Sequence, residues 1–593
     1  EISLGLVGSE MCIRDRFIAT ALLLTSLGVT TSCIDNSYDL NKDIDMTVNV
    51  GGEHLTIPVG YTEQITLDKI IELDEGDDLQ LVNGEYHLLK SDKIDPSTTT
   101  VDPVTIDAAN SEIKEIAITD ETETPDEMPI ETTISQDGSI KAEANNVDAA
   151  VKKIGSLTAQ NPIPLTIKIE IEGQRAYESI KVPDLKIQLP KFLVFAKKYD
   201  EIDSNNLLSL NLDIKKGNSA SIAYTYDIES YHFAEKTGDQ GEITVTDNKA
   251  VIEDNSIKVT GKSTVVVSAN SQGQLYIKPS ITIDAMPVKS VRGIIQPTID
   301  ETTSNVNLDN LPDFLQDDAT ELDIANPVFT FIAKNPLDAR IVLNGEMYGS
   351  KDGVKIDNSI VYIGDEKSVD KQAIVLEPNS TTTIALSRLG TGGKEGAKNI
   401  KVSDINNLIK KIPDAVDFKL QPAVTHDEYS SVDLGTSYTM ESSYDIDIPL
   451  SFGSNLKIVY EETIDNFDLD LEDIDIKKAI LDINAINTIP LAMEIKDENV
   501  SALDANGNVI KDIDVTVTGT ITESKDGKTE VASSLTINLN ETAEGAISKL
   551  DGLKLKVTAV PGQATDVQLL SSQWMQLKDM KLKIPNGIKV DLN

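Results

Sequence analysis

Three stretches of this sequence carry side chains in patterns that chemistry uses. Asp504, Asn506, Asn508 and Asp512 supply oxygen atoms at alternating positions, as calcium loops do. Gly507 is misplaced for an EF-hand and the closing bidentate Glu is absent, so the stretch reads as a hairpin turn on Asn506-Gly507. LGTGGKEGAK around Gly392 has the glycine content of a phosphate loop. Arg388 stands where the first Gly belongs and Glu395 follows Lys394 in place of Ser or Thr, so it cradles no nucleotide. Asp468, Asp470, Asp473 and Asp475 interleave with Phe467, Leu469, Leu471, Ile474 and Ile476, which reads as a strand with one core face and one solvated face.

A fourth group is aromatic. Tyr224, Tyr226, Tyr231 and His232, with Phe233, are the densest such cluster in a chain that is 4% aromatic. Tyr224 and Tyr226 are two apart and share one face of a strand, so these four residues are the candidate ligand contacts, because sugars stack on exposed rings. His54, His87, His232 and His426 are scattered, and neither a Gly-x-Ser-x-Gly elbow nor a His-Glu-x-x-His helix occurs. The reading is therefore no catalytic residue, no cofactor and no metal site, hence no enzyme. A hydrolase with dispersed carboxylates stays as an alternative, since their separation is a spatial quantity.

Composition narrows the partners. With 53 Lys and Arg against 98 Asp and Glu in 593 residues, the net charge of −45 repels a phosphate backbone and argues against nucleic acid. Two cysteines cannot build a disulfide scaffold or a zinc ribbon. A hydrophobic content of 40% is enough to bury proper cores.

The elements that must position these side chains are strands. LTIKIEI (165–171), LKIQL (185–189), LSLNLDI (208–214) and MKLKI (580–584) alternate apolar and polar residues. Asn83-Gly84 between LQL and YHLL reads as a type I′ hairpin. Short helices are expected at Val147–Ile154, at Ser403–Ile412 with Ser403 as cap, and at Glu544–Leu550. Residues 101–140 hold eleven acids against Lys114, and Asp120–Glu127 reads as a flexible acidic loop. Trp574 is expected in a core or at a sheet edge.

A weak repeat supports a modular chain: Asn161-Pro-Ile-Pro-Leu165, Asn335-Pro-Leu337 and Asn487-Thr-Ile-Pro-Leu491, the second and third forming the better pair. Strand, Asn-turn, strand is similar to the Ig-like sandwich of late-embryogenesis-abundant proteins. The expected fold is mainly β: tandem antiparallel Ig-like β-sandwich domains with a few short helices. Boundaries are drawn at 51–158 (an acidic β-rich domain), 159–300, 301–400 and 401–593, the last a sandwich or a pair of them.

The N-terminus supplies an address. Phe17–Val29 is an uncharged apolar run of the length of a signal h-region, too short to span a bilayer, and Thr30, Thr31 and Ser32 lead to Cys33. This resembles the signal and lipobox of Bacteroidota-type cell-envelope lipoproteins, which implies cleavage after residue 32, acylation of Cys33 and a tether over 33–50. Residues 11–16, MCIRDR, resemble the translated end of a sequencing-library adapter, so residues 1–16 are read as an artefact and Cys12 with them. The expectation is a lipid-anchored outer-membrane protein, exposed at the surface or facing the periplasm. It would serve as a non-enzymatic scaffold, adhesin-like or binding module with the membrane as partner through Cys33 and a protein or glycan as second partner. Glycan capture beside an outer-membrane transporter is the alternative.

Overall fold

The computed structural model describes residues 47–50, 54–71, 73, 76–233, 241–308, 311, 315, 317–424, 427–464, 474–585 and 588–591. The alternating runs are strands, and their burial shows why. Along Leu207–Lys215, Leu208, Leu210, Leu212 and Ile214 are buried while Ser209, Asn211 and Asp213 are exposed. Leu165, Ile167 and Ile169 bury one face of Val151–Gly173 in the same way. The described residues hold a single α-helical turn, Leu67–Ile70, and short 3₁₀ turns at Ile405–Leu408, Asp497–Asn499 and Ile547–Lys549.

Antiparallel sheets build three sandwich modules. The double-sheet module spans roughly residues 101–295. One layer holds Val151–Gly173 beside Ser221–His232, Leu275–Ile283 and Met286–Ile295. The other holds Lys249–Val267 between Met128–Asn145 and Tyr177–Gln188, with Leu207–Lys215 at its edge. Ile167 of one layer and Val259 of the other belong to the same core.

The central module stacks two sheets. One contains Val328–Asn335 between Ser380–Ser387 and Ser437–Pro449, the latter paired with Glu85–Thr100. The other contains Ile341–Lys351 and Ala415–Ala423. Phe418 bridges the layers, edge-on to Phe331 at 5.8 Å and to Tyr444 at 6.3 Å. The terminal module sets His54–Gly60, Trp574–Pro585, Lys478–Asn487, Val531–Glu541 and Ile513–Gly519, in that order, against Ile458–Ile464, Gly552–Val560 and Ala492–Glu494. Its core runs without a break into that of the central module.

The modules are nested, not tandem. Thr47–Val50 pairs with Ile588–Asp591 and His54–Gly60 with the strand ending at Pro585, so both ends of the described chain close the terminal module. Glu85–Thr100 then joins the central sheet, the chain makes most of the double-sheet module, and it returns through the central to the terminal module, adding Tyr429–Asp433 beside Met286–Ile295 on the way. The boundary drawn at 158/159 falls inside Val151–Gly173, where Asn161-Pro162 marks a bulge between Thr158 and Ile163. That at 400/401 falls inside Lys398–Lys401.

Two of the three Asn motifs are one structural device. Asn335 and Asn487 each end a strand fully buried. Asn487 Oδ1 accepts from Ile489 N at 2.8 Å, and its Nδ2 donates to Leu491 O and to Thr522 O, both at 3.0 Å. Asn335 repeats this, with the two local partners at the same offsets: Oδ1 accepts from Leu337 N at 3.0 Å, and Nδ2 donates to Ala339 O at 2.8 Å and, farther along the chain, to Glu377 O at 3.0 Å. In both, the last carbonyl precedes the strand that pairs with the Asn strand. Asn161 is exposed and does not share the device.

The helices largely give way to other structure. Val147–Ile154 is a turn running into a strand, because Val151, Lys153 and Ile154 find ladder partners in Ile295, Ile294 and Gly293. Ser403–Ile412 shrinks to the 3₁₀ turn at Ile405–Leu408, and Ser403 gives both its N–H and its hydroxyl to Asp370 instead of capping it. Glu544–Leu550 shortens to Ile547–Lys549. Asn83 and Gly84 do form the expected hairpin, with φ of 54° and 86°.

Candidate functional site

The aromatic group lies on Ser221–His232, and the structure corrects its reading. Tyr226 and Tyr231 are 4% and 2% exposed. Tyr199 meets Tyr226 edge-on at 4.9 Å, and Phe192 meets Tyr231 at 5.1 Å. Burial pushes the Tyr226 hydroxyl up to about 12, and that of Tyr231 higher still. With their faces covered, these rings are packing, not a sugar platform. Tyr224 and His232 are half-buried on the same strand.

The other candidates separate. Cys33 and the signal segment, His426, Asp468, Asp470 and Asp473 lie outside the described residues. Asp504 Oδ1 accepts from the backbone N–H of Asn506 and of Asn508, each at 2.9 Å, so its carboxylate folds its own turn. Near Gly392, Arg388 turns to Asp323 and Lys394 pairs with Asp445. His87 Nδ1 sits 2.6 Å from Asp447. No cluster of three or more metal-ligating side chains occurs among the described residues. The acidic loop is held by Arg175, whose fully buried guanidinium donates to Asp120 O at 2.6 Å, Thr122 O at 2.7 Å and Thr124 Oγ1 at 3.1 Å.

What the sequence did not reveal is a cleft of about 930 Å³ where the central and terminal modules meet. Its floor is the outer face of Gly552–Val560 and its neighbours: Thr558 pairs with Val459 on one side and Glu494 on the other, with Lys556 and Val560 flanking them. Its walls are residues 319–323 and the 3₁₀ turn. Asn406 ties the walls together, donating to Leu322 O at 3.1 Å and accepting from Ile324 N at 3.0 Å. The junction is a backbone pair: Glu321 N donates to Lys457 O and Lys457 N to Glu321 O.

Five basic and five acidic side chains line the cleft. Asp323 is buried. Burial alone would raise its pKa, but hydrogen bonds from Asn455 and Arg388 outweigh it and hold the carboxyl below its ordinary range. Glu321 is likewise held down against the effect of burial by Lys410 and Lys411. Asp404 is the opposite case. Burial, reinforced by the charge of Asp370, raises it, and its enclosed Oδ1 has no hydrogen-bond partner among the described residues. These groups come from stretches far apart in sequence, so no local motif could have flagged them.

No family model matches the chain, and no curated protein matches it in sequence. Among solved structures, a protein of Parabacteroides distasonis described as secreted is similar at 16% identity over 48% of this chain and 82% of its own, with a TM-score of 0.35. A chain of Sulfolobus Turreted Icosahedral Virus aligns at 8% identity over 80% of this chain and 91% of its own, TM-score 0.13. A chain of the infectious bursal disease virus particle aligns at 7% over 82% and 78%, TM-score 0.14.

Proposed function

We propose that the chain is a lipid-anchored, non-enzymatic protein of a cell envelope, built as a stalk that carries its double-sheet module outward. The observation behind this reading is the nested path. Residues 34–46 separate Cys33 from Thr47, and Thr47–Val50 pairs with Ile588–Asp591 in the terminal module. Acylation of Cys33 would thus tie the terminal module to the bilayer and leave the residue 101–295 module at the far end. Two or more acyl chains hold stably where one does not. The outer membrane is the membrane that the Cys33 pattern implies. The paired Asn335 and Asn487 devices support reading the central and terminal modules as copies of one Ig-like sandwich.

The cleft supports a binding component over a bare spacer. Asp323 accepts from Arg388 and Asn455 through its two carboxylate oxygens, which fixes it as part of the cleft wall.

Fatty-acid labelling tests the anchor: wild type takes up label and Cys33→Ala does not. Orientation is tested with single cysteines in a Cys33-acylated chain on vesicles, using a headgroup quencher. A fluorophore at Asp512 should be quenched and one at Asn218 should not; the reverse order overturns the arrangement.

A further inference from the structure

We infer that the cleft between the central and terminal modules binds a sugar acid, alone or as a short oligomer, through Lys457 and Lys496 at its carboxylate and Glu494 and Glu498 at its hydroxyls. The site does not depend on the anchored-envelope reading.

The charge inventory points there. Three of the five cations are already engaged: Arg388 with Asp323 at 2.7 Å, Lys410 with Glu321 at 3.5 Å, and Lys556 with Asp317 at 3.9 Å. Lys457 and Lys496 make no ion pair among the described residues, in a chain where acids outnumber bases by 98 to 53. Two uncommitted lysines facing one cleft of so acidic a protein call for an anion. The same cleft presents Glu494 and Glu498, which call for hydroxyl or amine donors. A simple dicarboxylate meets the first demand and is repelled by the second. A carboxylate on a polyhydroxylated ring meets both.

Two other ligand classes fit less well. Neutral sugars rely on aromatic stacking, and none of the lining residues is aromatic. An extended peptide would add a strand to a free edge. The edge that borders the cleft is occupied, since Lys457 N bonds Glu321 O and Val459 N bonds Thr320 Oγ1. A cleft of 930 Å³ holds a ligand of up to about three sugar rings, at the upper end of the roughly 300–1,000 Å³ usual for small-molecule sites.

Isothermal titration of the full chain with galacturonic acid, its linear trimer, galactose and a tripeptide of glutamate tests the site. The acid, the trimer or both should bind, with galactose and the peptide weaker by about tenfold or more, and tighter binding of the trimer would identify an oligomer as the natural form. Lys457→Met and Lys496→Met, both exposed positions that spare the fold, should each weaken the acid by about tenfold, the loss of one charge-assisted contact. Absence of acid binding at millimolar concentration, equal binding of galactose or peptide, or unchanged affinity in both variants overturns the assignment. Recovery of a cleaved trimer would overturn it as a binding site and revive hydrolysis.

Discussion

Replacing Asn487 by Ala should cost far more than a one-residue polar change usually does. The side chain is fully buried and makes three hydrogen bonds: two donated by Nδ2, to the Leu491 and Thr522 carbonyls, and one accepted from Ile489 N. Ala strands the Ile489 N–H and the Leu491 carbonyl, both on buried residues, at about 1–3 kcal/mol each, so a total near 3–5 kcal/mol is expected. Asn335→Ala removes the matching bonds, but Ala339, the counterpart of buried Leu491, is only half-buried and its carbonyl can turn to water, which lowers the cost to roughly 2–3 kcal/mol. Asn161→Ala, at an exposed bulge, should stay within about 0.5 kcal/mol. Urea unfolding reads all three. Trp574, the single Trp, donates its backbone N–H to Thr488 Oγ1 at 2.8 Å and so sits beside the Asn487 turn, while far-UV circular dichroism follows the rest. With slopes of about 1–3 kcal/mol/M, the Asn487→Ala midpoint should fall by one to several molar. Equal costs at the three positions would falsify the claim that only two of the motifs share a structural role.

Three other outcomes follow from the same geometry. Arg175→Leu should destabilise by roughly 2–4 kcal/mol and speed amide exchange across residues 119–125, because the loop loses its buried donors; unchanged exchange there would show the loop is held otherwise. Asp323 and Asp404 should respond oppositely to pH. The folded pKa of Asp323 lies below its ordinary 3.8, so it stabilises above that value and the effect fades as pH falls further; Asp323→Asn should cost stability at pH 7 and almost none in strong acid. The folded pKa of Asp404 lies above 3.8, so its contribution is favourable in acid and lost as pH rises; Asp404→Asn should raise the melting temperature at pH 7 and leave it unchanged well below 3.8. Finally, deleting residues 47–66 should shift Trp574 emission and lower the melting temperature of the terminal module, since Thr66 pairs directly with Trp574 and His54–Gly60 with Met580–Pro585 of the same strand; unaltered emission would contradict the Thr66 pairing.

The strands were legible because period two is a local signal: Leu208 to Ile214 shows its buried face in seven letters. The Asn83-Gly84 turn was legible for the same reason. The helix at Val147–Ile154 was misread because apolar residues at spacings of three and four also suit a strand start once ladder partners exist, and those partners lie near residue 294. The aromatic group was found but its burial was not, since Phe192, Phe195 and Tyr199 come from a neighbouring segment that the pattern does not link to it. Arg175 and the cleft were invisible: a buried guanidinium looks like any surface Arg in one dimension, and the cleft gathers residues 319 to 562.

The route of the chain also sets the order in which the protein can be completed. Gln576 Nε2 bonds Thr62 O across a separation of 514 residues, and the first described strands pair only with the last. A chain emerging N-terminus first can fold most of its double-sheet module early, from contacts within residues 101–295 and before Tyr429–Asp433 joins, but its opening strands must wait unpaired until the final ones appear. Closing so long a loop is slow, and an unpaired strand edge invites association in the interval. The interval before the C-terminus arrives is therefore when this protein is most exposed to aggregation and proteolysis, and a chaperone that shields residues 47–60 would act in that window.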